Sequence, residues 1–256
     1  MKFAPFVDSL GGEGAEAWEI LTESRAAQAR GEDVIILSIG DPDFETPAFV
    51  VDAAVEALRL GDTHYTELEG RSSLRSAIAE KMSLTSGVEI GPDRVTVLAG
   101  AQNAFYSTCR CLFGPGDEVV VLDPAYVTYE ACIASTGATQ VRVQQPAYSG
   151  FRPDIDQLGA SITSATRGIV FANPSNPTGV TYTRHELNAI ADIAIRNDLW
   201  VLVDEVYNDL VFDGVYQSIA GLPGMLERTV TVSSVSKSYA MTGWRCGWAV
   251  GPPALM

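Results

Sequence analysis

Short apolar runs recur along this chain, separated by longer stretches in which apolar positions return every three or four residues. The runs fall at 34–39, 94–98, 118–123, 140–143, 168–172, 199–203, 229–232 and 246–250. They are rich in Val and Ile and predict strands. The periodic stretches predict helices over 15–30, 48–60, 73–86, 104–113, 126–135, 155–162 and 183–197. Gly31, Gly61 and Gly87 stop the first three, and Pro47 stands in the first turn of the second behind Thr46 as its cap. Thr183 with Glu186 three residues on is a capping box. Strands alternating with helices predict an α/β fold, a mostly parallel sheet with helices on both faces.

In such sheets ligands bind beyond the carboxyl ends of the strands. The small, backbone-open stretch 99–104, Tyr126, the loop 173–179, the segment 204–207 and the segment 234–237 all fall there. No GxGxxG fingerprint is present, which counts against a nicotinamide dehydrogenase. There are no repeats, low-complexity stretches or linkers.

Composition narrows the picture. With 256 residues, 46% of them hydrophobic, the chain can bury a core of one large domain or one and a half. Its 17 basic and 32 acidic residues leave a net charge of −15, so nucleic acid and anionic membranes are not expected partners. Cys109, Cys111, Cys132 and Cys246 form no CxxC pair and read as free thiols in a reducing compartment. His64 and His185 lie far from any Cys or acid cluster, so no metal is expected. Residues 1–12 have no apolar h-region and carry Asp8, unlike a signal peptide, and no apolar run nears the ~20 residues of a membrane helix. The expectation is a soluble cytoplasmic protein.

The chemistry gathers at 233–245. Lys237, one of three lysines, follows a strand in a run of hydroxyls, with Arg245 eight residues on. A lysine at a strand end, with a cation near it and a dry pocket, can form a Schiff base with a carbonyl. The hydroxyls and the guanidinium can hold a phosphate dianion beside it. An aldehyde and a phosphate on one small molecule describe pyridoxal phosphate; by itself the stretch also reads as a surface lysine in a Ser-rich loop. Gly100-Ala101-Gln102 opening a helix suits a phosphate, and equally an ordinary strand-to-helix turn. Asp204 leaves an apolar strand and needs a partner, either a pyridinium nitrogen or a structural cation. Tyr207 and Asn176 can hydrogen-bond a phenolic oxygen, though a loop Asn is commonly a turn residue. Tyr126 can stack on a planar ring or belong to the core.

Taken together these motifs resemble the pyridoxal-phosphate-dependent aminotransferases of fold type I, class I/II. The resemblance runs from Trp18 to Pro253. It rests on Gly40-Asp41-Pro42-Asp43-Phe44, on 65–70, on Asn173-Pro174 with Asn176-Pro177-Thr178-Gly179, on Asp204-Glu205-Val206-Tyr207, and on Ser-x-Ser-Lys with Met241-Thr242-Gly243-Trp244-Arg245. The resemblance implies that Lys237 is the Schiff-base lysine and that Asp204 pairs with the pyridinium nitrogen. It implies that Tyr207 and Asn176 contact the phenolic oxygen, that Tyr126 stacks on the ring, and that Ala101, Gln102, Ser234 and Arg245 hold the phosphate of pyridoxal 5'-phosphate. It implies a homodimer in which Tyr65 reaches the other subunit's site, and it sets Gly40 near the substrate carboxylate.

The implied reaction moves an amino group from an amino acid to a 2-keto acid. A β-lyase on the same scaffold shares Lys237 and Asp204. A cofactor-sensing regulator would need a basic domain ahead of the fold, and the first 30 residues are too few and too acidic for one. The stretches 14–18, 61–65 and 101–106 are similar to arginine–pyruvate transaminases, within the broader aspartate-type group. Family members continue well beyond the last strand with a small domain. The chain is therefore expected to be partial, with 46–256 as the large cofactor-binding domain and 1–45 as a segment that would pack on the absent one.

Overall fold

The structure, a computed structural model, describes residues 2–3, 7, 10 and 13–256, with side chains from Trp18 onward in the first helix. The signal-peptide reading of 1–12 and the side chains of 14–17 lie largely outside the described residues. Seven strands form one sheet: β1 (Val95–Leu98), β2 (Glu118–Asp123), β3 (Thr139–Gln144), β4 (Thr166–Ala172), β5 (Trp200–Asp204), β6 (Thr229–Ser234) and β7 (Gly247–Val250). Their order is β1-β7-β6-β5-β4-β2-β3. The pairs from β3 through β2, β4 and β5 to β6 are parallel, and β7 runs antiparallel to both β6 and β1. The helices are α1 (Glu13–Ala29), α2 (Ala48–Arg59), α3 (Ser72–Ser86), α4 (Ala101–Leu112), α5 (Tyr129–Ala134), α6 (Ile155–Ala160) and α7 (Arg184–Arg196).

The unbroken apolar runs are explained by burial on both sheet faces. In β2, Val119 and Val121 pack with Phe105 and Ile133 of α4 and α5, whereas Val120 and Leu122 pack with Leu158, Leu187 and Ile190 of α6 and α7. Each such side chain taken out of water contributes roughly 1.5–3 kcal/mol before the entropy of ordering is set against it. A third cluster joins Ile78, Ala79 and Met82 of α3 to Val95, Trp248 and Val250. The α7 capping box forms with both of its hydrogen bonds.

Residues 34–39, expected as a strand, are not one. A strand exists through its ladder, and no described strand pairs with this run; Ile35 and Leu37 stand exposed. Thr46 is not a cap either: α2 begins after Pro47 with no side-chain cap, and the Thr46 hydroxyl donates instead to Ala240 O. α4 starts at Ala101, three residues earlier than its periodicity suggests, because Gly100 at φ +89° turns the chain directly out of β1. α5 starts at Tyr129, three residues later than expected. Among the described residues, no helix is long and apolar enough to cross a membrane.

Candidate active site

The topology explains why residues 40 to 245 meet at one sheet edge. The carboxyl ends of β1, β2, β4, β5 and β6 share that edge. Because β7 runs antiparallel, its amino end, with Arg245 just before it, returns to the same edge. Between these ends lies a cavity of about 410 Å³. Ten predicted residues line it: Gly40, Ala101, Gln102, Tyr126, Asn176, Asp204, Tyr207, Ser234, Lys237 and Arg245. Tyr65 does not; it is fully exposed.

One end of the cavity is a cationic cradle. The Arg245 guanidinium lies so close to Gly100 that a Cβ there would overlap it, and the backbone of Gly100 and Ala101 packs directly on Gly247. Arg245 is held by Nη1 donating to Thr242 O at 2.7 Å and Nη2 donating to Ala99 O at 3.4 Å. Beside it, the first backbone N–H groups of α4 are free of intrahelical partners, as at any helix start. Ser234 is buried, and its hydroxyl accepts from Ser236 N–H. The Gln102 side chain is tied away from the cradle. Its amide donates to Cys132 Sγ at 3.1 Å, and its carbonyl accepts from Thr128 Oγ1 at 2.6 Å.

Asp204, which also lines the cavity, terminates β5. Its Oδ1 accepts from Val206 N–H at 3.0 Å and its Oδ2 from the Tyr129 hydroxyl at 2.8 Å. Burial raises the Asp204 carboxyl above its usual range, and those two donors oppose the rise. Burial likewise raises the Tyr126 and Tyr207 phenols, and the Asp204 charge adds to both.

Lys237 lines the same cavity as the cradle and Asp204, and its Nζ donates to Gly40 O. Burial lowers its amine below the ordinary lysine value; Asp41 opposes that shift and Arg245 reinforces it. The segment carrying Gly40 is fastened over the lysine loop by Thr242 donating to Asp41 Oδ1 at 2.7 Å and by Trp244 Nε1 donating to Thr46 Oγ1 at 3.1 Å. The arrangement therefore offers a depressed amine, a carboxylate held by two donors and an anion cradle around one space. That donor set fits a small molecule carrying a phosphate, a carbonyl and a basic ring nitrogen.

Sequence reasoning missed Trp18, Phe105, Ser236 and Thr242 of the lining, and Tyr129 behind it. Trp18 and Phe105 look like members of ordinary helical stripes. The signal for Ser236 and Thr242 was their place in the 233–245 run; nothing in the pattern marks the aim of the Tyr129 hydroxyl.

Comparison with known proteins fits this geometry. Residues 32–256 match the family model described as aminotransferase class I and II. The arginine–pyruvate transaminase AruH of Pseudomonas aeruginosa is 46% identical over 255 residues, which cover 100% of this chain and 65% of that protein. The aspartate/prephenate aminotransferase of Cereibacter sphaeroides is 39% identical over 240 residues, 93% of this chain and 60% of that protein. Among solved structures, the Thermus thermophilus aspartate aminotransferase with maleate superposes at a TM-score of 0.95 and 32% identity, over 100% of this chain and 66% of that one. The chain thus spans about two thirds or less of the length of these relatives.

Proposed function

The chain belongs to the aminotransferase class I and II family, and from that premise we propose that it serves the pyridoxal-5'-phosphate-dependent transfer of an amino group from an amino acid to a 2-keto acid. One observation carries the reading: Lys237, Asp204, Arg245, Ser234 and Ala101 all line one cavity of about 410 Å³. When bound, the cofactor supplies an aldehyde that captures amines and a ring that accepts electrons.

The chain's own groups do the rest. Arg245, Ser234 and the backbone N–H groups of Ala101 and Gln102 hold the phosphate, the Gln102 side chain being engaged elsewhere. Asp204 keeps a proton on the ring nitrogen. Tyr207 and Asn176 would donate to the phenolic oxygen, and the Tyr126 ring would pack against the cofactor; all three line the cavity. Lys237 would hold the cofactor through its Nζ, and the same amine would carry a proton to and from the substrate carbon. Its depressed amine is ready to accept that proton at lower pH than an ordinary lysine. Gly40 lies beside the substrate carboxylate.

Residues 46–256 are the cofactor-binding domain in this reading, with 1–45 a segment outside it. The enzyme is a homodimer in which Tyr65 reaches the second site; its full exposure leaves it available. Four free cysteines accord with the cytoplasm. Arginine as donor and pyruvate as acceptor are the first pair to assay, given the 46% identity to a transaminase of that name. Borohydride reduction of the protein with pyridoxal phosphate, followed by peptide mapping, tests the core of the reading. Label on the peptide containing Lys237 is expected; label on Lys81 or Lys2 would defeat the assignment.

A further inference from the structure

Tyr129 plays no part in the roles assigned above, yet it is among the largest enclosed side chains, at 1% exposure. It opens α5, its ring stacked on Phe105 at 4.2 Å and 10°, with Tyr126 edge-on at 5.8 Å and 77°. Two aromatic neighbours at different angles leave the ring one orientation. In that orientation its hydroxyl donates to Asp204 Oδ2 at 2.8 Å, while Val206 N–H takes Oδ1. A buried phenol with no acceptor would be costly; here the acceptor is the acid that lines the cavity. One donor on each oxygen fixes the carboxylate rotamer, and each oxygen keeps a further acceptor position.

We propose that Tyr129 is a positioning residue for Asp204, holding its carboxylate in one rotamer and ionised so that it receives the ring N–H of the cofactor. This rests on the reading of Asp204 given above. The physical consequence is directional. An O–H donated to a carboxylate lowers its proton affinity. Without that donor, the proton shared between Asp204 and the ring nitrogen moves toward Asp204, and the ring becomes a poorer electron acceptor. The buried phenol itself stays protonated, because burial and the Asp204 charge both raise it far above its usual range.

The test titrates pyridoxal phosphate into the wild-type chain, Tyr129→Phe, Asp204→Asn and the double variant. It follows dissociation constant, the pH at which the bound cofactor's absorption band changes, and melting of the cofactor-free chain. Tyr129→Phe is expected to weaken binding roughly 10-fold and to move the spectroscopic transition, with melting nearly unchanged because the stacking survives. The double variant should bind no more weakly than Asp204→Asn alone, since the hydroxyl acts only through the carboxylate. A Tyr129→Phe chain with wild-type affinity and transition, beside a weakened Asp204→Asn, overturns this inference and leaves the reading of Asp204 standing. An Asp204→Asn chain that binds as wild type overturns that reading, and this inference with it. Additive losses in the double variant would show that Tyr129 acts independently of Asp204, and would also overturn the inference. Should Tyr129→Phe not fold, the Tyr129 hydroxyl proton resonance is followed instead. It should move on Asp204→Asn, and an unmoved resonance overturns the inference.

Discussion

Lys237, Asp204 and Arg245 were legible because each stands where a predicted apolar strand begins or ends, and strand ends converge in a parallel sheet. Glu205 was not. It adjoins Asp204 in sequence, but its carboxyl is fully buried and accepts from Ser218 Oγ at 2.6 Å. Burial pushes that carboxyl up to about 7, with Ser218 and Tyr216 opposing and Asp204 adding to the rise. The folded chain therefore binds this proton more tightly than the unfolded chain, whose value is near 4.5. The resulting stabilisation is complete below the unfolded value and is lost as pH rises through the folded one. Glu205→Gln should remove that dependence. Urea unfolding at several pH values from 5 to 8 should show wild type losing ground to the variant as pH rises, and a constant difference would refute the burial account. Gly100 carries a second prediction, since its φ of +89° and the overlapping Arg245 both forbid a side chain. Gly100→Ala should weaken pyridoxal phosphate far more than pyridoxal, which lacks the phosphate, when the two are titrated side by side; equal losses would mean that the cradle does not hold the phosphate.

The elements were read nearly whole, because period and punctuation are local properties. The capping box at Thr183 and Glu186 is a signal that survives into the structure unchanged. Thr183→Ala should cost about 1 kcal/mol of unfolding free energy, measurable in urea. A loss of under a few tenths would mean that α7 is held by Leu187, Ile190 and Ala194 alone. Residues 34–39 show the opposite case. Their composition is as strand-like as that of β2, but composition cannot report whether a neighbour offers a ladder. The early start of α4 has a related cause: periodicity finds apolar stripes, and the first turn at Ala101 and Gln102 faces the cavity rather than the core.

At the scale of the molecule, burial is uneven. The sheet and its helices are packed on both faces, while α2 has no fully buried side chain. Phe49, Val51, Val55 and Leu58 of that helix are exposed, as are Leu60, Tyr65 and Leu68 after it. A helix of 12 residues is marginal on propensity alone, and an exposed apolar surface of this kind marks an interface. Under the homodimer proposed above, this helix is the face expected to meet a second copy. The net charge of −15 sets two copies against each other, so association should strengthen as salt shortens the Debye length from about 10 Å at 0.1 M to about 3 Å at 1 M. Sedimentation velocity across a range of protein concentrations, at low and high salt, tests both statements. Replacing Phe49 and Leu58 together by Glu should shift the chain toward monomer without lowering its melting temperature at high dilution, because neither side chain is buried within one copy. An association constant unmoved by the double substitution would remove α2 from the interface. One that fell with added salt would mean that charge pairs, not the apolar surface, hold the copies together.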